Sequence, residues 1–363
     1  MEHKLISEKD RLLVFMSMCE ISNKKQEQIL NVLDDFSVEK MLRNSDVEAL
    51  LSAEEYHKLI RNYDKQVLDM SIENMLKNNI KILTVFSEDY PQKLIDLPDR
   101  PLILYAKGDL SLFNRKSIGI VGTRSPSNYG RIVTEKLAGE LAQSGLVVIS
   151  GLCFGVDEIS HRKTLEVGGK TIAVVGGGFK KIYPATNTAL SEQVAEEGLL
   201  LSEYPPSFEP KRYTFPRRNR IIAGLSDGIL ITEASFKSGT THTKEFAQEY
   251  GKDLFAVPGN INSSKSELTN MLIKTGQADC VISSEDIIKH YGMNKKDNVR
   301  KVIFEPNFEQ QELLNLLADG EKNFDFLAEK TKIPVNSLNF YLTTLEINGL
   351  IRKLPSQFYA LLN

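Results

Sequence analysis

The sequence predicts an α/β protein in which a parallel sheet is flanked by an all-helical N-terminal segment and a C-terminal winged helix. Three observations predict this. Short apolar strands alternate with helical stretches between residues 117 and 288, helical periodicity alone fills residues 5–78, and three helices followed by a strand pair fill residues 310–360.

Composition restricts the classes of function. The 363 residues allow two or three domains, and a net charge of −3 means that any nucleic-acid binding must come from a local patch. Cys19, Cys153 and Cys280 lie far apart without CxxC spacing, so we expect no metal site, no disulfide framework and no cofactor. The N-terminus lacks a signal-peptide core, and no apolar run approaches the roughly 20 residues of a membrane span. We therefore expect a cytoplasmic protein without membrane insertion.

Residues 1–78 are expected to form short helices. Apolar residues recur three and four positions apart, for example at Leu12, Phe15, Met16 and Ile29. A β-rich connector follows, with strands expected at 80–86 and 102–106 and with three prolines marking turns between them.

An alternating strand and helix pattern then begins. We expect helices at 129–144 and 156–167, and strands at 117–122, 146–150, 171–175, 199–203, 228–232, 254–257 and 280–282. Apolar strands separated by helices indicate a parallel sheet that is covered on both faces. Ligands of such sheets bind at the carboxyl ends of the strands.

Glycine-rich loops stand at four of these strand ends, at 122–125, 150–157, 176–178 and 238–241. Glycine lets a backbone approach a ligand closely, and free N–H groups at helix N-termini attract anions. We expect a row of phosphate sites, to which Arg124 adds a charge-assisted contact. The candidates from these loops are Gly122, Thr123, Arg124, Ser125, Gly151, Gly155, Ser238, Gly239 and Thr240. The first loop is neither a G-x-G-x-x-G fingerprint nor a Walker loop.

A basic segment, residues 211–220, approaches the same edge. It reads KRYTFPRRNR, with five cations, no acid and the rings of Tyr213 and Phe215. Cations interleaved with aromatic rings suit a flexible single strand of nucleic acid, because charge binds phosphates and rings stack on bases. A charge run by itself is commonly a solvated face, and it is the glycine loops beside it that favour binding. The further candidates are Lys181, Arg212, Phe215, Arg217 and Asn219.

The last sixty residues follow a polar linker. We expect helices at 310–317, 324–330 and 336–347 and strands at 349–352 and 358–360, which together make a winged helix. A helix that reads duplex DNA carries basic or amide side chains. Residues 337–347 contain no Lys or Arg and include Glu346, which favours a protein-contact or structural role.

The central stretch resembles the DNA-processing protein A (DprA/Smf) family of natural transformation. The resemblance covers about residues 90–288, and its most specific part is F-P-R-R-N-R-I-I-A-G-L-S at 215–226. Other matching segments are G-T-R-S at 122–125, S-G at 150–151 with G-V-D at 155–157, His161, Y-P at 183–184, L-S-E-Y-P-P at 201–206, E-A at 233–234, S-G-T at 238–240 and V-P-G-N at 257–260. Cys153, Val156 and the loop after Gly239 depart from the usual family pattern, which bears on detailed contacts more than on the family assignment.

The resemblance implies an extended Rossmann-like fold that binds single-stranded DNA. It also implies protection of incoming strands, a homodimer, loading of RecA recombinase and no catalytic reaction. The resulting domains are a helical module of SAM-like or helix-hairpin-helix-like type (1–78), an extended Rossmann-like domain (79–292), a linker (293–306) and a winged helix (307–363).

Two other functions stay open at this point. Related α/β folds hydrolyse nucleotide N-glycosidic bonds with a glutamate, and Glu203, Glu233 and Glu245 are the available carboxylates. The chain lacks the P-G-G-x-G-T-x-x-E run that would favour this activity. The other possibility is a DNA-dependent scaffold in which the two end domains dominate.

Overall fold

The computed structural model describes residues 6–293, 306–347, 349–354 and 357–362. The chain divides into two compact units, Met1–Asn298 and Val299–Asn363. The expected linker at 293–306 lies outside the described residues except at its two ends.

The N-terminal segment is helical, as its periodicity predicts. Its helices are α1 (Glu8–Met18), α2 (Asn23–Val32), α3 (Val38–Met41), α4 (Ser45–Leu50), α5 (Ala53–Asn62) and α6 (Lys65–Lys77). Side chains of Ser7 and Ser52 cap α1 and α5 in capping boxes, which satisfy backbone N–H groups at the helix starts.

A nine-stranded sheet forms the centre of the first unit. Its strands are β1 (Lys81–Thr84), β2 (Ile103–Gly108), β3 (Ser117–Val121), β4 (Val147–Ser150), β5 (Thr171–Val175), β6 (Leu199–Ser202), β7 (Gly228–Ile231), β8 (Asp253–Ala256) and β9 (Asp279–Cys280). The order in the described sheet is β1-β2-β6-β5-β4-β3-β7-β8-β9. The strands from β6 to β9 in that order are parallel, which confirms the predicted sheet.

The β-rich connector belongs to this sheet. β2 pairs antiparallel with β6, Tyr105 opposite Ser202, and β1 pairs antiparallel with β2. Ile103 and Tyr105 of β2 share a hydrophobic cluster with the N-terminal helices, and the Tyr105 and Ser17 hydroxyls lie 2.5 Å apart. The helical segment therefore packs directly on the edge of the sheet.

Helices cover both faces of the sheet. They are α7 (Gln92–Ile95), α8 (Asn128–Gln143), α9 (Val156–Glu166), α10 (Thr188–Glu197), α11 (Thr214–Leu225), α12 (Thr240–Glu249), α13 (Glu267–Lys274) and α14 (Ser284–His290). Alternate strand residues enter different cores: Ile118 and Val148 pack with α8, whereas Val147 and Ile149 pack with α11.

The strand order creates one switch point. From β3 the chain proceeds through β4 and β5 to β6 on one side, then returns through α11 to β7 on the other side of β3. Loops that leave β3 and β7 therefore diverge, and the crevice between them is where open α/β sheets bind ligands.

The second unit contains the expected helices and strand pair. Its elements are α15 (Phe308–Ala318), β10 (Lys322–Asn323), α16 (Phe324–Thr331), α17 (Val335–Ile347), β11 (Ile351–Leu354) and β12 (Phe358–Leu361). The three strands form an antiparallel sheet in the order β10-β12-β11 around a core that includes Leu313, Leu327 and Leu338. Its classification as a winged helix stays a prediction. Within the described ranges of both units, no helix combines the length and apolarity needed to cross a membrane.

Candidate nucleic-acid interface

A cleft of about 400 Å³ lies at the switch point. Its walls are the loop after β3, the loop after β7 and the first half of α11. The cleft brings together eight of the residues predicted from the sequence: Gly122, Thr123, Arg124, Phe215, Asn219, Ser238, Gly239 and Thr240.

A cation and three aromatic rings form a row that begins at this cleft: Arg124 and Phe215 line the cleft, and Tyr183 and Phe154 extend the row beyond the cleft lining. The Arg124 guanidinium lies 5.7 Å from the centre of the Phe215 ring. The Phe215 and Tyr183 ring centres are 5.4 Å apart, and those of Tyr183 and Phe154 are 6.5 Å apart. Phe154 is 42% exposed and Tyr183 51% exposed, so both rings offer surface to solvent. Arg124 is exposed, and no carboxylate of the described residues forms an ion pair with it.

Two of the predicted glycines hold the cleft wall together and do not line the cleft. A Cβ on Gly155, whose φ is +77°, would lie 2.5 Å from the Thr123 carbonyl oxygen. The same carbonyl accepts a hydrogen bond from the Val156 N–H at 3.2 Å. Gly151 lies against the Arg218 guanidinium. These glycines therefore allow the loops to pack on protein groups, and their contact with a ligand stays a prediction.

Protein groups already occupy backbone N–H donors at three of the four expected phosphate sites, and the row of sites stays a prediction. The start of α8 is occupied by Glu233, whose carboxylate accepts from the Ser127 N–H at 2.7 Å and the Ser127 hydroxyl at 2.6 Å. At α9, the Thr123 carbonyl occupies the Val156 N–H. The 176–178 loop is buried, and its Gly178 N–H donates to the Phe208 carbonyl at 2.9 Å.

The N-terminus of α12 also lies at the cleft, and its N-cap Gly239 lines the cleft. Its first-turn amides donate to protein groups: Thr240 to the Ser238 hydroxyl at 3.2 Å, Thr241 to the Ser238 carbonyl at 3.1 Å and His242 to the Gly239 carbonyl at 3.3 Å. The positive end of the helix dipole therefore attracts a negative charge at this wall. Lys237 lines the same wall and is exposed.

Most of the basic segment, residues 214–220, forms the first half of α11. Sequence reasoning did not predict this helix. Pro216 fits because it lies in the first turn, where a backbone N–H has no partner within the helix. Arg218 is buried and donates to the carbonyls of Gly151 and Val174. Arg220 is also buried and pairs with Glu203. These two arginines fix the helix and do not face solvent.

The other cations of the segment lie at the surface. Lys211 pairs with Glu20 at 2.6 Å. Arg212 is exposed, and Arg217 lies on the side of α11 away from the cleft, 3.7 Å from Glu203. Outside the cleft, the predicted Lys181 pairs with Glu209 at 2.8 Å, and Ser125 is exposed beside Arg124, its carbonyl accepting from Lys265 at 2.6 Å.

Two buried ionisable groups, Asp157 and Arg218, line the cleft, and the buried His161 lies on the same helix as Asp157. Burial raises the pKa of Asp157, and the nearby Arg218 guanidinium opposes that rise. Burial lowers the pKa of His161 to about 3, so this histidine is neutral at physiological pH. Its Nδ1 lies 2.7 Å from the Thr171 hydroxyl, which is consistent with a structural role.

Sequence reasoning missed several residues of the cleft lining. These are Val121, Cys153, Asp157, Pro216, Arg218, Ile222, Ser235, Lys237 and Thr243. Four of them lie within the motifs that carry the family resemblance, so the sequence contained the information needed to predict them: Asp157, Pro216, Arg218 and Ile222. Lys237 directly precedes the Ser238-Gly239 loop, and extending that loop backward would have found it.

The three candidate catalytic glutamates do not meet in this cleft. Glu203 and Glu233 are buried in the ion pair and the helix cap described above, and Glu245 is exposed and lies 3.4 Å from His242. None of the three is among the residues that line the cleft. The arrangement argues against the glycosidic hydrolase.

The fold and the cleft define a class of protein: an extended Rossmann-like α/β protein whose switch-point cleft combines cations and aromatic rings. The sequence model of the family described as "DNA recombination-mediator protein A" matches residues 81–292. The chain belongs to this family, which includes the DprA and Smf proteins.

Individual relatives agree with this assignment. DNA processing protein DprA of Bacillus subtilis is 40% identical over 214 residues, 59% of this chain and 72% of the relative. Protein Smf of Escherichia coli is 33% identical over 309 residues, 83% of this chain and 82% of the relative. The X-ray structure of DprA from Streptococcus pneumoniae superposes with a TM-score of 0.69 at 31% identity, covering 77% of this chain and 97% of the other.

A second solved structure concerns DNA binding. It is DNA processing protein A from Helicobacter pylori, described in terms of its single-stranded DNA binding mode. It superposes with a TM-score of 0.54 at 35% identity, covering 58% of this chain and 95% of the other.

Proposed function

We propose that this chain is a single-stranded DNA-binding protein of natural transformation and recombination. The observation that carries the proposal is the row in which Arg124 and Phe215 line the cleft and the rings of Tyr183 and Phe154 continue beyond its lining. The Helicobacter pylori protein, similar over most of its length, binds single-stranded DNA by its own description, which supports the proposal.

The chemistry of the cleft suits an unpaired strand. Arg124, Lys237 and the positive end of the α12 dipole offer positive charge to phosphates. Exposed rings offer stacking surfaces, which every base can use, so we expect weak sequence preference. The fourteen residues predicted from the sequence stay candidates for contact. The eight that line the cleft are the first to test.

We further propose that the protein protects the bound strand and helps load RecA recombinase on it, as a homodimer and without chemical reaction. The family description as a recombination mediator supports handover of DNA. A dimer would present two clefts to one strand and so raise its effective affinity.

Fluorescence anisotropy with matched single-stranded and duplex oligonucleotides tests the central proposal. We expect tighter binding to the single strand and a steep loss of affinity with added salt, because counterions are released from the DNA. Equal affinity for both forms at every salt concentration would refute it. Adding RecA tests the handover, and incubation with nucleoside monophosphates, followed by a search for free base, tests the hydrolase. A chain lacking residues 300–363 tests the scaffold, in which DNA binding would depend on the end domain.

A further inference from the structure

A second groove lies on the opposite side of α11 from the cleft. It has a volume of about 640 Å³ and runs between α2, the turn at 98–102 and the helices α11 and α12. Its charged lining residues are Lys24, Glu27, Asp99, Arg100, Arg217 and Arg220.

Arg220 lines this groove and has one buried guanidinium nitrogen without a hydrogen-bond acceptor among the described residues. The side chain is 3% exposed; its Nη2 pairs with Glu203, and its Nε lies 3.4 Å from Asp99. Its Nη1 has no hydrogen-bond partner in the described part of the chain. A buried guanidinium N–H normally has an acceptor, so a ligand that brings acceptor atoms would complete this site.

The charge balance of the groove favours an anionic ligand. Glu27 is already paired with Arg100 at 3.3 Å, and Asp99 and Glu203 with Arg220. Lys24 is exposed and forms no ion pair with any described residue, and Arg217 lies 3.7 Å from its carboxylate partner. Several donors converging on one groove are the recognition chemistry of a phosphate group.

The surface of the groove continues to the N-terminal end of α11. A small adjoining cavity shares Ser22, Asn23 and Arg217 with the groove and is also lined by Tyr213, which is 56% exposed. Tyr213 directly precedes α11, and Phe215 in the first turn of the same helix lines the cleft. A strand that passes over the start of α11 would therefore meet the cleft first and the groove second.

We propose that the groove binds backbone phosphates of the same DNA strand after it leaves the cleft. This deepens the proposed function and rests on it for the source of the phosphate. The helical segment thereby becomes part of the DNA-binding surface through Lys24.

The test is a double variant, Lys24→Ala with Arg217→Ala, which leaves the Arg220–Glu203 pair in place. Labelled oligo-dT from about 4 to about 30 nucleotides, a range around the site sizes typical of single-strand binders, is titrated at several salt concentrations. A control with Lys77→Ala and Lys289→Ala removes the same charge at positions 74% and 78% exposed.

For the longest oligonucleotides, we expect the slope of log affinity against log salt to become shallower by about 1.4, since each phosphate contact contributes about 0.7. At about 0.1 M salt this corresponds to a loss of about 25-fold, with no loss for the shortest oligonucleotides and none in the control.

Unchanged slopes at all lengths would overturn the proposal. A second outcome would also overturn it: inorganic phosphate raises the melting temperature of the unaltered protein but not of the double variant, while the double variant still binds long oligonucleotides as tightly. The groove would then be a site for small anions. If the unaltered protein binds no oligonucleotide of any length, the proposed function itself fails, and that outcome is distinct from both others.

Discussion

Replacing Arg124 with alanine tests whether the cleft binds phosphate. Arg124 is exposed and makes no ion pair with any described carboxylate, so its loss should leave the free energy of unfolding nearly unchanged. One lost phosphate contact makes the salt slope for a single strand shallower by about 0.7. At about 0.1 M salt, binding should weaken about 5-fold, and the two proteins should converge near 1 M salt.

The assay is anisotropy of labelled oligonucleotides of several sequences between about 50 and 200 mM salt. Because phosphates carry no sequence information, the loss should be the same for every sequence. Arg124→Lys is the matched control: it keeps the charge and should keep the slope, while weakening the contact with the Phe215 ring. Parallel salt plots for the alanine variant and the unaltered protein would refute the assignment of Arg124 to a phosphate.

Three further predictions follow from the same structure. Phe154→Ala should weaken single-strand binding about 5- to 150-fold, the equivalent of about 1–3 kcal/mol of stacking, with an unchanged salt slope in the same assay. A changed slope would count against stacking. Glu203→Gln removes the buried carboxylate that pairs with Arg220 and leaves only the more exposed Asp99, 3.4 Å from the guanidinium, so urea unfolding should report a loss that approaches about 3–5 kcal/mol, the cost of a broken buried ion pair. A variant more stable than the unaltered protein would contradict this reasoning and would indicate that Glu203 serves function and not stability. His161 has a pKa of about 3 in the folded protein. Because this value lies below the roughly 6.5 of an unfolded chain, the unfolded state binds more protons between the two, and stability from this group is lost as pH falls below about 6.5. His161→Gln should therefore reduce the fall of the urea midpoint between about pH 7.5 and pH 5, and equal falls in both proteins would contradict the argument.

The sheet was predictable because its strands are buried on both faces. Runs such as Ser117–Val121 and Thr171–Val175 are apolar throughout, which is the pattern of a central parallel strand. The strand order was not predictable, because periodicity reports burial and not neighbours. The switch point between β3 and β7, which locates the cleft, could therefore be identified only from the three-dimensional structure.

The basic segment shows where local reasoning fails. Its sequence gives Arg217, Arg218 and Arg220 the same character, yet one is at the surface and two are buried. What separates them is the position of their partners, the Val174 carbonyl on β5 for Arg218 and Glu203 for Arg220, and no spacing rule connects these to the segment. The glycine loops were ambiguous for a related reason: a glycine that allows close approach does not indicate whether a ligand or a protein group approaches it.

The two buried arginines explain how one helix can serve as a wall of the cleft that we propose binds DNA. Arg218 attaches α11 to the carbonyls of β4 and β5 strand ends, and Arg220 attaches it to Glu203 beyond β6. The same Glu203 carboxylate accepts from Asn23 of the N-terminal helices at 2.6 Å. Phe215 and Asn219 are therefore held in place before DNA arrives, and a preformed site loses less conformational entropy on binding than a flexible basic strip would. On the proposed function, buried cations that contact no phosphate would thus contribute to affinity by fixing the position of the residues that line the cleft.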